Sequence, residues 1–141
     1  MRKIKFRGKS TETKLHTAQW RFGSLLTSSN EACKPLIYQR FPRPMHDGNG
    51  YWYEVDESTV GQYTGLKDIS DAEIYEGDIV SFKDDETDEC VRGLVTHSVD
   101  GTWLVVCDGF SEYLSIVRKT TLIMGNVYDS PELLEADNAR D

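Results

Sequence analysis

The residue types that most often carry chemistry are thinly spread along this chain. Its three histidines, His16, His46 and His97, fall in unrelated segments. No pair has the i, i+4 spacing that sets two imidazoles on one helix face, and Cys33, Cys90 and Cys107 lie too far apart for a zinc ribbon. There is no phosphate loop, dinucleotide fingerprint or Gly-x-Ser-x-Gly elbow. The acidic run Asp84-Asp85-Glu86-Thr87-Asp88-Glu89 lacks the sixth-position Gly and twelfth-position Glu of a calcium loop, so it reads as a solvated hairpin loop. Asp78, next to Gly77, reads as turn chemistry, with a ligand-binding carboxylate as the alternative. Cys107 reads as a small apolar core residue. No catalytic residue, metal or cofactor is expected, and the chain reads as non-enzymatic.

Binding chemistry remains. Lys3, Lys5, Arg7 and Lys9 alternate with Ile4 and Phe6, which predicts a strand over residues 2–9 with a basic outer face. Such a face can block edge pairing, lie against acidic protein surface, or contact phosphates. Trp20, Tyr51, Trp52 and Tyr53 are either core residues or partner-binding anchors, with Trp52 placed among the candidate contacts. The net charge of −8 conceals a division. Residues 1–45 hold ten Lys and Arg against two acids, Glu12 and Glu31; residues 46–141 hold six against 22. That asymmetry concerns partners and self-association rather than fold.

The elements that must position these residues are short strands. The stretch GQYTGLKDISDAEIYEGDIV, from Gly61 to Val80, organises the rest. Gln62-Tyr63-Thr64 suits a strand, Gly65 a bend, Asp68-Ile69-Ser70-Asp71 a turn, and Ile79–Phe82 a further strand. Before it come strand-like runs at 20–26, Leu36-Ile37-Tyr38 (ended by Pro42 and Pro44) and Tyr51–Val55, the last preceded by the turn signal Asp47-Gly48-Asn49-Gly50. After it come Val91–Val99, Trp103–Cys107, Phe110–Val117 and Leu122–Tyr128, punctuated by Asp100-Gly101 and Asp108-Gly109. Strands spaced by about ten residues with turns between them are the signature of a β barrel or sandwich. Ser130-Pro131-Glu132 starts a single helical turn, and Ala136–Asp141 reads as a frayed tail. The expected organisation is an N-terminal β-rich extension with a variable insert over 1–60, and a small C-terminal barrel over 61–141.

Wide cysteine spacing and an odd count argue for a reducing compartment. No signal-like run follows the basic start, and no apolar stretch approaches the about 20 residues needed to span a bilayer. A cytoplasmic protein without a membrane partner is expected.

Three blocks carry a resemblance: MRKIKFRGKS, VGQYTGLKDISDAEIYEGDIV and IMGNVYDSPELLE. In their order and separation they resemble the YopX family, small proteins found mainly in bacteriophages and prophages. The resemblance implies a mainly β fold with an SH3-like barrel in the C-terminal part. It implies no biochemical activity that could be transferred. Members commonly carry an Asn-Gly turn where this chain has Ser70-Asp71-Ala72, which bears on the tight hairpin there and not on the flanking strands. The functional expectation is a protein-interaction or scaffold module that self-associates, with a host or phage protein as a further partner. The alternatives are nucleic-acid binding through the basic strand, or an acidic mimic that occupies a host nucleic-acid-binding protein.

Overall fold

The computed structural model describes residues 3–15, 17–46 and 48–138. Arg2, His16, Asp47 and the last residues of the expected tail lie outside them. The chain divides into two units, one ending at Tyr63 and one beginning at Thr64. Both are mainly β and antiparallel.

The first unit contains β1 (Phe6–Lys9), β2 (Trp20–Leu26), β3 (Leu36–Met45), β4 (Gly48–Glu54) and the start of β5 (Gly61–Lys67). Their order in the sheet is β4-β3-β2-β1-β5. The expected strand over 2–9 is shorter than the alternation suggests. Lys3 to Lys5 precede β1, and Ile4 is 72% exposed instead of sharing a buried face with Phe6. An isolated bridge between Ser10 and Val55 ties the end of β1 to the end of β4. Ile37 and Val55 are fully buried, and a Cβ on Gly8 would stand only 3.0 Å from Val55, so β1 passes close over the core there.

Pro42 and Pro44 do not end β3, contrary to the expectation. Proline is tolerated where a strand lacks a neighbour to receive its N–H. The pairing of β3 with β2 stops at Tyr38, and its register with β4 shifts between Arg40 and Met45. Both prolines therefore sit where the ladder is already interrupted. The turn into β4 likewise comes earlier than expected, because Gly48, Asn49 and Gly50 belong to the strand.

The second unit contains the end of β5 with β6 (Glu73–Tyr75), and a five-stranded sheet. Its strands are β7 (Asp78–Lys83), β8 (Cys90–His97), β9 (Trp103–Val106), β10 (Ser111–Tyr113) and β11 (Leu122–Asn126), in the order β10-β9-β8-β7-β11. Pairing stops at β10 and β11, so this sheet is not closed. Val80, Phe82, Val95, Trp103, Val105, Leu114 and Val117 form its buried core. Each such side chain contributes about 1.5–3 kcal/mol of transfer free energy. Gly93 lets β8 and β9 approach: a Cβ there would meet Val105 Cγ1 at 2.5 Å.

The run Phe110–Val117, expected as one strand, divides. Only Ser111–Tyr113 is extended; Leu114–Val117 forms α1, and a 3-10 turn over Arg118–Thr120 leads into β11. The reason is the i, i+3 spacing of Leu114 and Val117. A helical turn buries both while Ser115 and Ile116 face out. At the end of the chain, α2 (Glu132–Asn138) is longer than the expected single turn. It lies on β8, where Arg92 Nη1 donates to the Leu133 carbonyl at 3.1 Å.

Two buried carboxylates of the organising stretch hold its turns. Asp68 Oδ1 accepts from the Ser70 and Ala72 backbone N–H groups and the Ser70 hydroxyl, while Oδ2 accepts from Ile123 N at 3.0 Å. Asp78 Oδ2 accepts from Tyr75 N at 2.8 Å, which is turn chemistry. Asp71 adopts φ +70, a conformation Asp reaches more readily than most residues.

Candidate interaction surfaces

In the first unit, β2 alternates. Phe22, Ser24 and Leu26 are exposed and Trp20 is half-buried, whereas Arg21 is buried and Leu25 half-buried. Cross-strand partners share a face, so the pairing extends this outer surface across four strands. β1 sets Lys9 opposite Trp20 and Arg7 opposite Phe22. β3 sets Tyr38 opposite Ser24, and β4 sets Trp52 opposite Tyr38. Trp52 is 45% exposed, and its ring centroid lies 5.0 Å from that of Tyr38. Arg40, exposed, follows Tyr38 by two along β3 and so shares the face.

The reverse side of these strands is the inner one. Ile37 and Val55 are buried there, and Arg21 packs its guanidinium 3.8 Å from the Tyr53 ring centroid. Its Nε donates to Ser10 Oγ at 3.4 Å. A groove of about 380 Å³ runs beside β4, lined in part by Lys14, Leu15, Tyr51 and Trp52.

The four basic residues singled out from the sequence do not form one exposed strip. Lys3 is exposed but precedes the strand; Lys5 and Lys9 are half-buried. Arg7 is buried, with its guanidinium 4.7 Å from the centroid of Trp20, the diagonal neighbour on β2. A cation lying over an indole is attracted by the ring quadrupole and covers it. The outer face therefore mixes cations with rings. Phe22, Tyr38 and Arg40 belong to it and were not singled out; the i, i+2 spacing of Trp20 and Phe22 within β2, and of Tyr38 and Arg40 within β3, was the available signal.

The second unit offers a different surface. Trp103 and Val105 of β9 face the core, so Leu104 and Val106 face away. Val106 pairs with Leu94 and Ser111, and Leu104 with Thr96 and Tyr113. Val106 is 43% and Tyr113 48% exposed, with Phe110 and Ile116 also exposed nearby along the chain. α2 covers β8 at Arg92, but β10 is an edge strand paired only with β9.

The acidic groups with shifted titration are occupied by structure. Burial raises the Asp68 pKa, but donation from Ile123, Ala72 and Ser70 outweighs it and holds the carboxyl below its ordinary value. Asp100 is held at about 2 by the hydroxyls of Ser98 and Thr102 and the Thr102 N–H, within the turn between β8 and β9. Among the described residues no group of three His, Cys, Asp or Glu could hold a metal ion.

A family model described as YopX protein matches residues 5–135. The chain belongs to the YopX family. The YopX match takes in both units and all eleven strands of the described residues, so the outer face of β1–β4 and the open side of β9–β10 both fall within the family region. No curated protein matches the sequence significantly. No helix among the described residues is long and apolar enough to cross a membrane.

Proposed function

We propose that this YopX protein is a non-enzymatic interaction module that self-associates through the open side of its five-stranded sheet. The observation that carries this reading is the apolar row beside an unpaired edge: Leu104 and Val106 on β9, Tyr113 on β10. An edge strand presents unsatisfied N–H and C=O groups, and an antiparallel partner satisfies them. A second copy meeting edge to edge gives a two-fold contact in which each β10 pairs with its counterpart. Asp68 and Asp100, whose pKa values are lowered, both bond to turn residues and so act in structure.

We read the five strands as an open member of the SH3-like class. The last strand returns beside the first of the five after a 3-10 turn, and a small barrel needs that connectivity. Cys33, Cys90 and Cys107 form no disulfide, which suits a reducing cytoplasm. A phage or host protein is the second partner this reading allows.

The test is sedimentation velocity across a concentration series. The natural protein forms a dimer or larger species, and Val106→Lys combined with Tyr113→Lys returns it to monomer without loss of its circular dichroism spectrum. A natural protein that stays monomeric at every concentration overturns the reading.

A further inference from the structure

We infer that the outer face of β1–β4 binds single-stranded nucleic acid by stacking unpaired bases on its rings and drawing the backbone to its cations. This goes beyond the self-association proposed above and uses the other unit.

The argument starts from what a polynucleotide strand requires. Each base presents a π-face, each linkage a negative charge, and a sequence-tolerant binder supplies aromatic platforms with cations among them. Trp52 and Tyr38 sit side by side on adjacent strands, with Phe22 further across on β2. Lys9 on β1 and Arg40 on β3 share that face. Arg7 is already turned against Trp20; on the same face Trp52 is 45% and Phe22 36% exposed, with the half-buried Tyr38 beside Trp52.

Neighbouring strands lie about 4.8 Å apart. The three steps from β4 to β1 thus span roughly 14 Å, room for several nucleotides laid across the strands. Glu54, opposite Leu36, is the one acid in the paired rows of this face, and Lys34 Nζ lies 3.9 Å from it. The charge of the segment agrees: residues 1–45 carry ten Lys and Arg against two acids. An acidic protein partner would match those cations but gives no reason for the exposed Trp52 and Phe22 rings among them. The face is a sheet with its rings laid outward, which suits unpaired bases rather than the closed stack of a duplex.

Fluorescence anisotropy with labelled oligo(dT) and oligo(U) of about 15 nucleotides tests this. The full chain binds both, with affinity falling steeply as salt rises from about 50 to 200 mM. Trp52→Ala weakens binding about 5- to 150-fold, the range for loss of one stacked base, and Trp52→Phe restores most of it. Arg40→Glu weakens binding and flattens its salt dependence. Circular dichroism confirms that each variant is folded. No binding at low salt, equal binding by Trp52→Ala, or a duplex bound as tightly as the single strands overturns the inference. Because Val106→Lys with Tyr113→Lys removes only the self-association surface, single-strand binding by that variant separates the two proposals.

Discussion

Asp68 shows what one side chain does for the second unit. Its two oxygens take four hydrogen bonds, three within its own turn and one from Ile123 of β11. Asp68→Asn keeps the size but removes the charge and turns one acceptor into a donor facing backbone N–H groups. Hydrogen bonds to a charged group are worth about 1.5–3 kcal/mol, so a loss of that order is expected in urea unfolding. The pH sign follows from the lowered folded pKa. The carboxylate's stabilisation is fully present above the unfolded value near 3.8 and is lost as pH falls through the folded value. The natural protein should therefore lose stability below about pH 4, and Asp68→Asn should show a shallower acid limb. The Asp-Ile-Ser-Asp turn is legible in the residues themselves, but a partner 55 residues away is not. Arg7 was hidden for a related reason. Alternation predicts an exposed Arg7, but Arg7 is buried against Trp20, and nothing local in the sequence says that the indole will lie over it.

At the scale of elements, strands with a turn signal at each end were readable. β8 and β9, divided by Asp100-Gly101, came close to their observed bounds. Errors arose where tertiary packing chose between local options. Leu114–Val117 has strand-like residues, but burying Leu114 and Val117 together selects a helical turn. β3 crosses two prolines because β2 has left it before they arrive. Gly93 serves close approach within its strand pair, with Val105 Cγ1 filling the space a side chain would need. Gly93→Ala should cost about 1–3 kcal/mol by overpacking, measured as a lower denaturation midpoint with an unchanged slope.

For the molecule as a whole, each unit carries one surface the fold leaves open. The first mixes rings with cations; the second is an apolar row beside a free edge. The overall charge of −8 describes neither. If self-association stabilises the folded chain, its thermal midpoint must rise with protein concentration by mass action. Differential scanning calorimetry over a hundredfold dilution should show that rise, and should show none for Val106→Lys with Tyr113→Lys. The family's mainly β character was legible in the spacing of turns. The surfaces were not, because the rings of the first and the apolar row of the second come from strands whose register no sequence pattern states.

The Asp68–Ile123 bond also orders events during synthesis. Translation finishes the 68–72 turn long before residue 123 leaves the ribosome, so the nascent chain must wait with one oxygen of that carboxylate still wet. Only when β11 arrives beside β7 can the acid be sealed from water. A product ending before Leu122 would release a chain whose central turn was built to receive a strand that never comes, and cellular proteases would find it open.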